Sequence, residues 1–165
     1  LRHKKPDEFR EWISHVRTAL PDVAGIHIEE RPEDRHCYLA LQYSGGLDVP
    51  SWCLSEGTLC LLALTFLPYW SDSGSVYLVE EPESHVHPLN LEPIAQSLGS
   101  VYDGQVLVST HSPAVVSMVD PTQLLVFSRD SETGVSVVHG QEHPRLRDWQ
   151  REVSLGTLFA GGVLG

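Results

Sequence analysis

Apolar residues recur along the chain at two spacings, and the changes between them lay out the elements. Phe9, Ile13, Val16 and Leu20 fall on one helical face, so residues 6–20 are predicted as an amphipathic helix that Pro21 ends. Residues 25–29 and 37–43 then have strand character, split by the polar turn 31–35. Ser44-Gly45-Gly46 marks a turn, and residues 49–53 are expected to add a third short strand. Ser55 reads as the N-cap of a helix running to about Leu67, with Leu59, Leu62, Ala63, Phe66 and Leu67 as its apolar stripe.

Beyond a loop over 71–75, residues 76–79 form a continuous apolar run of the kind expected of a fully buried parallel strand, and it ends in carboxylates. A helix is predicted after Pro88, with Leu91, Ile94, Ala95 and Leu98 facing inward, and residues 105–109 form a second buried strand. Ser112 followed by Pro113 predicts an N-cap and the first position of a short helix. Residues 124–127 and 135–139, flanking 129–134, predict a strand pair. From His143 onward the chain is expected to be helical, broken at Gly161 and Gly162. The strand–helix alternation over 76–128 predicts an α/β fold with a mostly parallel sheet and covering helices. Ligands in such sheets sit outside the carboxyl ends of the strands, where the reactive side chains here are concentrated.

Composition adds exclusions. A chain of 165 residues, 41% hydrophobic and 20% charged, suits one globular domain with a real core. The net charge is −11, and no basic cluster exists beyond Arg2, His3, Lys4 and Lys5. A duplex-binding face needs clustered Lys and Arg, so any nucleic-acid contact is expected to lie in parts not present here. Cys37, Cys53 and Cys60 make no C-x-x-C pair, which argues against a disulfide framework or a cysteine zinc site and suits a reducing, cytoplasmic setting. The longest apolar run, 59–67, is far below the roughly 20 residues of a membrane span. The sequence starts at Leu1 and has Met118 as its only methionine, so it is expected to be part of a longer polypeptide. Its only lysines are Lys4 and Lys5, neither preceded by glycine, and a G-x-x-x-x-G-K-[ST] loop is therefore absent.

Three segments carry candidate chemistry. In Val76-Tyr77-Leu78-Val79-Glu80-Glu81-Pro82-Glu83 one carboxylate can support Mg²⁺ through water and the next can orient and deprotonate an attacking water. A solvated acidic loop would look the same. Ser55-Glu56-Gly57 opens a helix whose free N–H groups suit a phosphate, although plain capping accounts for the same residues. His111, in Ser109-Thr110-His111-Ser112-Pro113, stands where an imidazole can donate to a developing phosphate charge, or be satisfied by local backbone.

Their order is more specific than any one of them. Leu54-Ser55-Glu56-Gly57 and its helix resemble the signature motif of ABC-type ATPases. Residues 76–81 resemble a Walker B strand, 82–88 the D-loop region and 109–113 the switch-histidine loop. The pattern Glu81-Pro82-Glu83-Ser84-His85-Val86-His87-Pro88, and the closing stretch 147–165 with Leu155-Gly156 and Gly161-Gly162, resemble the RecF/OLD/SMC-like group rather than transporter ATPases. The first Walker B acid is commonly Asp in such motifs and is Glu80 here.

The resemblance implies the C-terminal subdomain of a P-loop NTPase of the ABC type, with its Walker A half missing and residues 1–165 forming a single partial ATPase domain. Within it, residues 1–53 precede the signature, 54–67 form the signature helix, 76–113 the Walker B to switch-histidine core, and 114–165 the C-terminal elements. It further implies ATP and Mg²⁺ as cofactors, and a homodimer or a related ATPase subunit as partner. Glu80 would support Mg²⁺, Glu81 would polarise the water and His111 would contact the γ-phosphate. Ser55, Glu56 and Gly57 would contact nucleotide held by the partner, with Glu83, Ser84 and His85 at the dimer seam. DNA repair and phage defence are the processes such ATPases serve. Two rivals use the same residues: a metal-dependent hydrolase built on His85, His87, Glu80, Glu81, Glu83 and His111, and a non-catalytic dimerisation module.

Overall fold

The computed structural model describes residues 5–70, 73–130, 134–147, 149 and 152–164. The basic start at Arg2, His3 and Lys4, and Ser71 and Asp72 of the expected loop, lie outside these residues. The chain divides into two units, Leu1–Ser109 and Thr110–Gly165.

In the first unit, helix α1 spans Pro6–Ala19, with proline at its start, Asp7 and Glu8 in its first turn and Arg17 in its last. Each sign of charge stands at the end of the helix dipole that it stabilises. Its inner face buries Trp12 and Val16, with Phe9, Ile13 and Leu20 packed beside them. The indole N–H of Trp12 donates to Thr65 Oγ1 at 3.1 Å, and the Thr65 hydroxyl donates in turn to the Leu61 carbonyl at 2.7 Å. Strands β1 (Val23–Glu30), β2 (Cys37–Tyr43) and β3 (Asp48–Pro50) form an antiparallel meander. Val23, Ile26 and Leu41 on one face join Trp12, Val16 and Leu62 in the core. The expected third strand over 49–53 is cut short. Pro50 has no N–H with which to extend the ladder, and Ser51–Cys53 form a 3-10 turn instead.

Helix α2 runs from Glu56 to Trp70. It passes beyond the expected end at Leu67, carrying Pro68 inside it without the N–H that proline lacks. Its buried residues are Leu61, Leu62 and Thr65, whereas Leu59 and Ala63 of the expected stripe are exposed. The helix is apolar nearly all round and packs against both α1 and α3 (Leu91–Gly99), so spacing alone does not pick its innermost line. On α3, Leu91, Ile94, Ser97 and Leu98 are buried, and Ala95 only partly so.

Strands β4 (Ser75–Glu80) and β5 (Gly104–Ser109) pair in parallel, in a register that sets Leu78 beside Leu107 and Glu80 beside Ser109. Neither is a fully buried strand. On the face carrying Val76, Leu78 and Leu107 these side chains are 60%, 75% and 41% exposed, because nothing among the described residues covers that face. The α/β class holds, but strand pairing is mostly antiparallel rather than mostly parallel: β4–β5 is the one parallel pair among the described strands.

In the second unit, the short helix α4 (Pro113–Val116) starts after Ser112, which does not cap it through its side chain. Thr110 Oγ1 accepts the Ser112 N–H at 2.9 Å there. Strands β6 (Leu125–Asp130) and β7 (Gly134–His139) form the expected strand pair, and it is antiparallel. The expected helix from His143 shrinks to α5 (Leu155–Ala160), capped by Ser154, whose Oγ accepts the Thr157 N–H at 3.1 Å. Ahead of it the N–H of Leu146 bonds the His143 carbonyl and that of Trp149 the Leu146 carbonyl, three-residue closures that make turns rather than an α-helix. Gly161 caps α5, and Val116, Leu146, Leu155 and Leu164 form this unit's core.

Candidate functional site

The first unit gathers the residues of two sequence motifs around one turn. Glu80 closes β4, and Glu81, the next residue, donates its N–H to the Ser109 carbonyl at 2.8 Å, one step past the paired register. The chain then turns sharply. Glu81 has φ +40°, a left-handed backbone that L-residues adopt at a cost of about 1–3 kcal/mol. Pro82 is buried, and the Ser84 N–H returns to the Glu81 carbonyl at 2.9 Å, closing the turn. The Ser84 hydroxyl donates to Glu81 Oε2 at 2.9 Å.

Glu80 and Glu81 are exposed and Glu83 is half-buried, so the cost of burying charge is not what distinguishes the first two. What distinguishes them is placement at the carboxyl end of a parallel strand, with Glu81 in a strained backbone.

The N-terminus of α2 meets the same turn. Ser55 caps the helix, its Oγ accepting the Thr58 N–H at 3.1 Å. Glu56 Oε1 lies 3.4 Å from His85 Nδ1. A β-carbon on Gly57 would run into the His85 carbonyl, so only glycine allows this approach without a shift of the backbone. Ser55 thus has an ordinary capping role, and Gly57 a packing role, whether or not either meets a ligand. Val86, one residue on, is buried and anchors the turn from below. His87 Nδ1 accepts the Leu89 N–H at 3.3 Å and caps the 3-10 turn Pro88–Asn90.

The structure therefore brings Ser55, Glu56, Gly57, Glu81, Ser84 and His85 into one connected set, with Glu80 and Glu83 in the same segment. His111 belongs to the second unit, where it is exposed two residues beyond the end of β5. Sequence reasoning missed the direct link from Ser84 to Glu81. The signal was present in Glu81-Pro82-Glu83-Ser84, where proline holds the second position of a four-residue turn that brings its ends together.

The donors at the end of β4 are carboxylate oxygens, which suits a hard cation such as Mg²⁺ held largely through its own water. Among the described residues, no group of three or more His, Cys, Asp or Glu is arranged to hold a metal by itself. His85 and His87 are both engaged locally, His85 with Glu56 and His87 with the Leu89 N–H.

No curated protein matches the sequence. Solved structures share its fold, two of them as follows. One comes from work described as "Structural biochemistry of ATP-driven dimerization and DNA stimulated activation of SMC ATPases", at 17% identity and TM-score 0.59, covering 83% of this chain and 85% of that one. The other is "Crystal structure of the SmcHead bound to the C-winged helix domain of ScpA", at 18% identity and TM-score 0.60, covering 81% of this chain. This chain spans only 43% of that second head. The fold is thus that of SMC ATPase heads, an ABC-type P-loop ATPase fold. The family model described as "AAA domain, putative AbiEii toxin, Type IV TA system" matches residues 2–117, well over half the chain and the whole of the motif-bearing stretch. With that match and the fold in agreement, the chain belongs to this family of AAA-type ATPase domains.

Proposed function

We propose that this chain supplies the signature, Walker B and switch-histidine part of an ATP-hydrolysing domain that works as a nucleotide-sandwich dimer. The observation that carries this reading is the turn at Glu81. A carboxylate at the end of a parallel strand, on a left-handed backbone, opens a turn whose His85 carbonyl is seated against Gly57, in the first turn of a helix that starts Ser-Glu-Gly. Strained residues concentrate where chemistry requires a fixed geometry.

In this mechanism Glu81 orients the attacking water and takes its proton, and Glu80 would help to hold Mg²⁺. Bound Mg²⁺ would neutralise charge on the phosphate oxygens. Ser55 and the first N–H groups of α2 face nucleotide held by a second subunit, Glu83, Ser84 and His85 line the seam, and His111 donates to the γ-phosphate. The phosphate-binding lysine comes from sequence outside this chain, which has none in the required setting. Dimerisation driven by ATP, the behaviour named for the SMC ATPases of similar fold, fits this division of the site. A place in DNA repair, phage defence or a related process, within the cytoplasm, is part of the same proposal.

In the complete ATPase, Glu81→Gln is expected to keep ATP binding, lose turnover and accumulate the ATP-bound dimer. Turnover near wild type would overturn the assignment. Isothermal titration of the 165-residue chain with Mg·ATP is expected to show no tight binding, since most of the phosphate cradle is elsewhere.

A further inference from the structure

We infer that Ser84 is a positioning residue for Glu81 within its own subunit, holding the carboxylate in one orientation through the hydroxyl bond to Oε2. This rests on the proposal that Glu81 orients the attacking water.

A glutamate has three side-chain torsions, and an exposed one samples many rotamers; fixing a long side chain costs up to about 2 kcal/mol of entropy. Here the main chain of Glu81 is already fixed at both ends, by its N–H to Ser109 and its carbonyl to Ser84. The remaining freedom is in the side chain. Ser84 reaches Oε2 at 2.9 Å from three residues away on the same turn, leaving Oε1 outside that bond.

The turn that carries Ser84 is itself held. Pro82 and Val86 are buried, the His85 carbonyl is seated against Gly57, and His85 Nδ1 lies 3.4 Å from Glu56. The first turn of α2 is thus in contact, through His85, with the turn that carries Ser84 and Glu81. The serine joins the nucleotide-facing helix start to the water-orienting group without touching nucleotide itself. A seam role for Ser84 alone would leave its hydroxyl bond to Glu81 without purpose.

The test is steady-state ATPase kinetics of the complete enzyme carrying Ser84→Ala, Ser84→Thr, Glu81→Gln and the double variant Glu81→Gln/Ser84→Ala. Misplacement of a reacting group by about 1 Å can cost about a hundredfold, so Ser84→Ala is expected to lower kcat by about 10- to 100-fold with KM unchanged. Ser84→Thr, which keeps the hydroxyl, should recover most of the loss. On the Glu81→Gln background Ser84→Ala should add nothing, because the residue acts through Glu81. A Ser84→Ala enzyme with wild-type kcat, or a loss that appears in KM and is not recovered by threonine, would overturn the inference while leaving the Glu81 assignment intact. Wild-type turnover in Glu81→Gln would instead remove the assignment on which it rests.

Discussion

The main-chain carbonyl of His85 occupies the space into which a side chain on Gly57 would project. Two segments far apart in sequence, the start of α2 and the turn after β4, touch there backbone to backbone. Gly57→Ala should destabilise the fold by about 1–3 kcal/mol, the usual cost of forcing an extra carbon into a packed contact. Chemical denaturation monitored by tryptophan fluorescence would show a lower midpoint with an unchanged slope. An unaltered midpoint would mean that the two segments separate easily, and that the glycine serves a ligand alone.

Trp12 and Thr65 are buried to 4% and 0% exposure and joined by a 3.1 Å hydrogen bond. Thr65→Val keeps the shape but strands the indole N–H in the core. The expected loss is about 1–3 kcal/mol, the desolvation cost of an unsatisfied buried donor, read as a drop in unfolding free energy. Thr65→Ser, which retains the acceptor, should lose less of this bond.

His15, on α1, lies against Tyr69 and Ser97, with Ser97 Oγ 3.3 Å from Nε2 and the Tyr69 hydroxyl 3.5 Å from Nδ1. Burial lowers its pKa below the ordinary 6.5. The folded state then binds the proton less readily than the unfolded state. Its contribution is complete above about 6.5 and declines as pH falls from there through the lower folded-state value. Thermal melts between neutral and mildly acidic pH should show Tm falling with acidification, and His15→Gln should flatten that slope.

Gly156 in the first turn of α5 faces the Pro113 carbonyl of α4 and the Oγ of Ser117, which caps it, where a β-carbon has no room. Gly156→Ala should push α5 from its seat and loosen the core of Val116, Leu146, Leu155 and Leu164. Faster amide exchange in α4 and α5, with protection in β4 and β5 unchanged, is the expected outcome. Uniform loss of protection would show that the two units unfold together.

Much of the arrangement was legible where period and punctuation agree. The spacing of Phe9, Ile13 and Val16 gave α1, and the polar turn beside residues 37–43 gave β2. The acidic end of β4 and the Ser-Thr-His end of β5 were legible because both follow short apolar runs. Legibility failed where the local pattern was ambiguous. In α2, leucines on every side hid the fact that a threonine, not Leu59 or Ala63, sits innermost to meet Trp12. In Val76-Tyr77-Leu78-Val79 all four residues are apolar, so the run could not show that one face of the pair is open. The link from Ser84 to Glu81 depends on a backbone angle, and glutamate gives no sign of a left-handed φ as glycine would.

That angle has a consequence for how this position varies. A sequence chosen for durability alone would place glycine or asparagine at residue 81, since either relaxes the left-handed turn. Glu81→Gly should accordingly raise unfolding free energy by about 1 kcal/mol while abolishing any role of the side chain. In a library selected first for thermal survival and then for activity, residue 81 is where the two selections should disagree most openly, with glutamate lost in the first and restored in the second.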